Sequence, residues 1–156
     1  MATTSTEMPG DRALRWTGAV FLAAVLVHGA DHMRRGTDVV TTEVLSAGTV
    51  QFVLAVLAVG LVFRGHRLAP VAAIAIGFPS AIGFTAAHLL PHWSAFSDSF
   101  TGADVAPHVN ALSWVTAVFE ITADLAFGAA GVATLRARGP VELTGRGHES
   151  GMRTAT

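Results

Sequence analysis

The sequence predicts an all-α integral membrane protein, an up-down-up-down bundle of four transmembrane helices with both termini cytoplasmic. Three observations lead to that fold class. Of 156 residues, 51% are hydrophobic and only 13% charged, against about 25% charged in soluble domains. Four apolar segments are each long enough for the roughly 20 residues that cross a bilayer as helix. Arginines cluster at alternate ends of those segments, the pattern of the positive-inside rule.

The polar, Thr-rich stretch 1–13 reads as a disordered tail. The first helix is expected over about 14–34. Trp16–Val27 alone is too short to span about 30 Å at 1.5 Å per residue, so the helix must run on through His28, Asp31 and His32. Arg12 and Arg15 before this run resemble a secretory leader, but His28 stands where a cleavage site needs a small residue, so the segment is read as retained. The second helix, about 44–63, is apolar all round from Phe52 to Val62, which a soluble amphipathic helix would not be. The third, about 68–90, carries Pro79 between Gly77 and Gly83, read mainly as a close-packing stretch, and ends before Pro91. The outer loop 91–107 holds Trp93, Phe96 and Phe100 at helix-like spacing and is expected either to lie flat as a short amphipathic helix or to cap the bundle. The fourth helix is expected over 108–135, opened by His108 after Pro107, and 136–156 reads as a second disordered tail.

Net charge near −1 and a pI of 6.6 argue against nucleic acid as a partner. Without cysteine, no disulfide, thiolate metal site or thiol nucleophile can exist. Any bound metal must rest on imidazole and oxygen, which suits Zn, Fe or Cu(II). The His-x-x-His-His boxes of membrane fatty-acid hydroxylases and the His-Glu-x-x-His of zinc proteases are both missing.

Five of the seven histidines fall where apolar segments run out on one side: His28, His32, His88, His92 and His108. His28, Asp31 and His32 share a helix face, and ionisable groups inside a bilayer are functional candidates by default. The leading expectation is a transition metal held by His28, His32, His88, His92 and His108 with Asp31, at the extracytoplasmic end, with metalloenzyme chemistry left open. Asp31 or Glu43 could instead orient an imidazole from behind. His28 and His88 could also be axial ligands of a b-type haem.

A second class of function rests on Glu120 and Asp124, four residues apart. Counted from His108, they lie about 18 and 24 Å in, with Gln51 as polar companion and no cation at that depth. Such a pair is expected to share a proton, since two buried carboxylates cannot both be ionised cheaply. It fits a proton or cation transport protein, working as a homo-oligomer, or hydrogen-bonded glue between helices. A third reading is a non-catalytic accessory subunit of a larger membrane protein, and membrane lipid is a partner under every reading.

Orientation follows from Arg12, Arg15, Arg64, Arg67, Arg136 and Arg138 at one end, against Asp38, Glu43, Asp98 and Asp104 at the other, where Arg34 and Arg35 dissent. A reporter fused after Thr156 is therefore expected to be active only on the cytoplasmic side. Activity outside would invert the topology and leave the helix count intact.

Overall fold

The computed structural model describes residues 9–139. Their secondary structure is helical: α1 (Pro9–Arg35), α2 (Thr42–Phe63), α3 (Ala69–Phe84) continued by a π-helical turn (Thr85–Leu89), and α4 (Ala111–Ala137), with a short 3-10 turn at Thr37–Val39. All four spans are long and apolar enough to cross a membrane, α3 doing so together with its π turn. No strand occurs among the described residues.

α1 starts within the stretch expected to be a tail, and its first turn is fastened from outside. Thr134 Oγ1 donates to the Gly10 carbonyl at 3.0 Å, and Arg138 Nη2 bonds Asp11 at 2.9 Å. Asp11 near a helix N-terminus also opposes the helix dipole favourably. The expected tails at 1–8 and 140–156 lie outside the described residues.

α4 begins three residues later than expected. Asn110 caps it, its side chain accepting from Leu112 N at 2.9 Å and Ser113 N at 3.4 Å in a capping box with Ser113. His108 lies outside the helix with φ 59°, a left-handed conformation that ends any continuous helical path from Pro107. The later start places Glu120 about 14 Å and Asp124 about 20 Å from the first residue of the helix, shallower than the sequence count.

Successive helices are antiparallel, and α4 packs between α1 and α3 while α2 closes the square against the same two helices. Buried positions recur every three or four residues, as in α1 (Leu14, Gly18, Phe21, Val25, His28, Asp31, Arg35) and α4 (Ser113, Thr116, Glu120, Asp124, Phe127, Gly131, Thr134). That is the spacing of a helix seam. Many large apolar side chains such as Leu57, Ile82 and Val115 face outward, and the interior combines Ala, Gly, Ser and Thr with the ionisable groups at one end and a few large apolar side chains at the other. Small residues let backbones approach, the mode of packing used where the surroundings are as apolar as Leu.

The tightest approach is between α3 and α4. A Cβ on Gly77 would lie 2.6 Å from the Asp124 carbonyl and 2.7 Å from Gly128 N, and one on Gly131 would lie 2.6 Å from the Pro70 carbonyl. These are backbone atoms, which cannot swing aside. The interior is then divided along its length: a dry apolar core of Leu14, Phe21, Val25, Val59, Val62 and Phe127 toward the arginine end, and the ionisable groups above it. Phe21 and Phe127 stack at 4.8 Å between centroids.

Gly77→Ala and Gly131→Ala are expected to destabilise the bundle by about 1–3 kcal/mol or more, because overpacking must push α3 from α4. Gly83→Ala, whose Cβ would meet nothing within 4 Å, should be neutral or slightly stabilising. Thermal unfolding in detergent compares the three, and equal melting temperatures would mean that the helices separate freely.

Candidate metal centre

Three of the expected ligands converge. His28 Nε2 lies 3.0 Å from His32 Nε2 and 3.2 Å from His88 Nε2, and the three residues form a group with ligand atoms within metal-binding distance of one another. His28 and His32 arrive together because they are four apart on α1. His88 arrives from the π turn, whose wider winding sets its direction separately from that of an ordinary helical residue. Two nitrogens each about 2.1 Å from a tetrahedral ion are roughly 3.4 Å apart, and about 3.0 Å apart when adjacent on an octahedral one. The observed separations match those edges.

The hydrogens on these rings give a second test of fit. His88 Nδ1 faces the Asp98 backbone carbonyl at 3.0 Å; a carbonyl only accepts, so Nδ1 carries the hydrogen and Nε2 a lone pair. Arg35 Nη2 donates to His32 Nδ1 at 3.0 Å, so in neutral His32 the hydrogen is on Nε2, which donates to His28 Nε2. His28 and His88 then meet lone pair to lone pair at 3.2 Å with no hydrogen between them. A cation among the three Nε2 atoms removes that repulsion. It requires the His32 hydrogen to move from Nε2 to Nδ1, where Arg35 Nη2 now donates, so that this donor has to turn aside before Asp98 Oδ2, 3.7 Å away, can accept from the ring. Behind His88 the Asp98 carbonyl is joined by Asp98 Oδ2 at 3.5 Å from Nδ1, whereas behind His28 the nearest carboxylate atom, Glu120 Oε2, stands 3.9 Å from Nδ1, beyond hydrogen-bonding distance. Ligating histidines need such partners behind them.

Asp98 was read from the sequence only as an outer-side acid, and it is the residue on which the site closes. Loop 91–110 forms no flat amphipathic helix; it folds into the mouth of the bundle and buries Ser97, Asp98, Ser99 and Phe100. A helix end leaves carbonyls without partners, and the loop supplies donors to five in succession. Trp93 Nε1 donates to Ala86 O, Asp98 N to Ala87 O, Phe100 N to His88 O, Thr101 Oγ1 to Leu89 O and Ser99 Oγ to Leu90 O. The Asp98 carboxylate then closes an ion pair with buried Arg35. The signal in the sequence was the run of short donors Ser97, Ser99 and Thr101 around one acid, set between Phe96 and Phe100.

The other expected ligands lie elsewhere. His92 is exposed at the start of the loop, and His108 is exposed, its carbonyl accepting from Arg34 Nη2 at 3.3 Å. Asp31 is buried, but its oxygens face the guanidinium groups of Arg34 at 2.8 Å and Arg35 at 3.4 Å. Glu43 is exposed on the first turn of α2. The two arginines that dissented from the charge asymmetry are thereby explained: each is neutralised by an acid beside it.

Glu120 and Asp124 are fully buried, yet none of their four carboxylate oxygens has a hydrogen-bond partner among the described residues. They do not bond each other, as a shared proton or glue would require. Gln51 turns to Ser80 Oγ at 3.5 Å instead. Glu120 belongs with the histidines, through His28. Below Asp124 the apolar core begins, so the polar path from the histidine end stops there.

A haem does not fit between His28 and His88: axial nitrogens stand about 4 Å apart across the iron at roughly 2 Å each, and here 3.2 Å separates them with His32 beside both. Phe84 and Phe100 close the site, with ring centroids 5.3 Å from His28 and 4.7 Å from His88. His28 and His88 are 2% and 1% exposed.

Asp98→Asn should destabilise the protein by on the order of 3 kcal/mol, the scale for removing one partner of a buried pair, because the Arg35 guanidinium keeps its charge. Exposed Asp104→Asn is the control and should change nothing measurable. Thermal unfolding in detergent reads the difference, and equal stability of the two variants would mean that the loop is not fastened through Asp98. Comparison with family models, with curated proteins and with solved structures finds no match to this chain, so its functional reading rests on the site itself.

Proposed function

We propose that the chain is an integral membrane protein that binds one transition-metal ion on Nε2 of His28, His32 and His88, at the extracytoplasmic end of its bundle. The observation that supports this is the pair of nitrogen separations, 3.0 and 3.2 Å, around a contact between two lone pairs that a bound cation relieves. Imidazole donors suit Zn, Cu, Fe and Ni, and Asp98 is the residue behind the His88 ring. The arginine asymmetry gives the orientation.

Binding, rather than turnover of a substrate, is the reading favoured by the aromatic walls. A catalytic ion keeps a position open to water or substrate, and here Phe84 and Phe100 pack directly on the ligands. Transport through a single bundle is disfavoured by the dry core of Phe21, Val59, Val62 and Phe127 that lies between Asp124 and the arginine end.

Protein purified in detergent is expected to retain metal by elemental analysis, and His28→Ala or His88→Ala should lower its affinity by at least a hundredfold, since each removes a ligand. His92→Ala and His108→Ala should retain metal as the parent does. Loss in these two variants, or retention in the first two, would overturn the three-histidine site.

A further inference from the structure

The strongest unexplained feature lies directly beneath the three histidines. Glu120 and Asp124 present four buried oxygens without a hydrogen-bond partner among the described residues, and His28 Nδ1 is a fifth such atom. His28 is 2% exposed, and its Nδ1 points at Glu120 Oε2 from 3.9 Å. That gap is too long for a hydrogen bond. It is a separation that one ion can span, since ligands at about 2.1 Å on either side of a metal stand up to roughly 4.2 Å apart.

We infer that this space is a second metal site, for a divalent ion of the Zn or Cu type, held by His28 Nδ1 and the carboxylates of Glu120 and Asp124 and joined to the first ion through the His28 ring. The inference rests on the three-histidine reading, because the bridge needs His28 Nε2 on the first ion.

Protonation alone does not satisfy these groups. A protonated carboxyl is itself a donor that needs an acceptor, and neither acid faces the other or Gln51 within hydrogen-bonding geometry. A divalent ion engages both acids at once and matches their two negative charges, which an apolar interior otherwise penalises heavily. Asp124 is one turn from Glu120 on the same face of α4, the arrangement by which two side chains reach one ion. Mixed nitrogen and oxygen donors suit Zn(II) and Cu(II). The chemistry balances simply: as the second ion bonds Nδ1, His28 loses that hydrogen to solvent as a proton and bridges the pair as imidazolate.

The full chain in detergent is loaded with Cu(II), freed of weakly held copper by gel filtration, and assayed for copper per chain and for unpaired spin by EPR. About two coppers per chain are expected, with an integrated spin well below two because the imidazolate couples them. Glu120→Gln and Asp124→Asn, both close in shape to the parent side chains, should each fall to about one copper with a full mononuclear signal. That retained copper, on the triad, reports that the variant is folded. Either variant holding as much copper as the parent overturns the second site. So do two coppers with full, uncoupled spin, which mark an adventitious second ion. One copper in the parent, lost in His88→Ala and kept in Glu120→Gln, leaves the triad standing and removes this inference alone. No retained copper in the parent overturns the triad first and the second site with it.

Discussion

The ion pair of Arg35 with Asp98 is the interaction on which the histidine end depends. Both side chains are buried, and two charges taken out of water hold together only if their geometry is closed and their remaining donors and acceptors are met. Arg35 meets most of this by donating from its terminal nitrogens to Asp98 and His32 and by lying over the Phe100 ring at 5.5 Å, while its Nε faces Asp31 Oδ2 at 3.4 Å as a charge contact without a hydrogen bond. The pair fastens the end of α1 to the loop between α3 and α4. Once it forms, the Asp98 carbonyl fixes the tautomer of His88, the Asp98 carboxylate stands behind two imidazoles, and the loop donors reach the carbonyls at the end of the π turn. Fold and site are thus closed by one contact between residues 63 apart in sequence.

Much of the fold was legible because a bilayer-spanning helix announces itself by length and composition. The extension of α1 through His28, Asp31 and His32 followed from counting residues against bilayer thickness. Boundaries set by side-chain capping were harder to read: Pro107 and His108 suggested a helix start, and the Asn110–Ser113 box outweighed them. The triad was half legible. The i, i+4 pair on α1 and the level of His88 could be read, whereas the exclusion of His92 and His108 depends on where a π turn ends and how a loop folds, which no periodicity encodes. Asp98 was hidden for the same reason. Its partner is an arginine in another helix, and charge counting placed both residues merely on one side. The link from Glu120 to His28 was missed because depth was counted from the wrong helix start, which set the acid several ångströms too deep.

The interior also shows why hydropathy alone understates this chain. Most Leu and Val side chains face outward while Ala, Gly, Ser and Thr fill much of the seams, so the polar residues stand out only when the seam spacing is followed. Along α4 that seam runs Ser113, Thr116, Glu120, Asp124 and then Phe127 and Gly131, passing from polar to apolar at one level. Everything chemically active lies above that level. The half toward the arginine end serves as a packed foundation, with Gly77, Gly128 and Gly131 setting the distance between α3 and α4 on which the alignment of the upper half relies.

The closure of the histidines by Phe84 and Phe100 has a kinetic consequence. His28 and His88 are shut off from solvent, and His32 alone of the three keeps part of its surface exposed. An ion entering or leaving the proposed three-histidine site in full therefore has to wait for the loop to lift, and lifting it breaks the five donor contacts to the end of the π turn as well as the Arg35 pair. Residence time is then governed by the opening frequency of the loop and not by the strength of the metal–nitrogen bonds. Such a centre exchanges slowly in both directions even where its affinity is moderate. Under the proposed function, slow exchange suits a protein that holds its ion better than one that passes ions along.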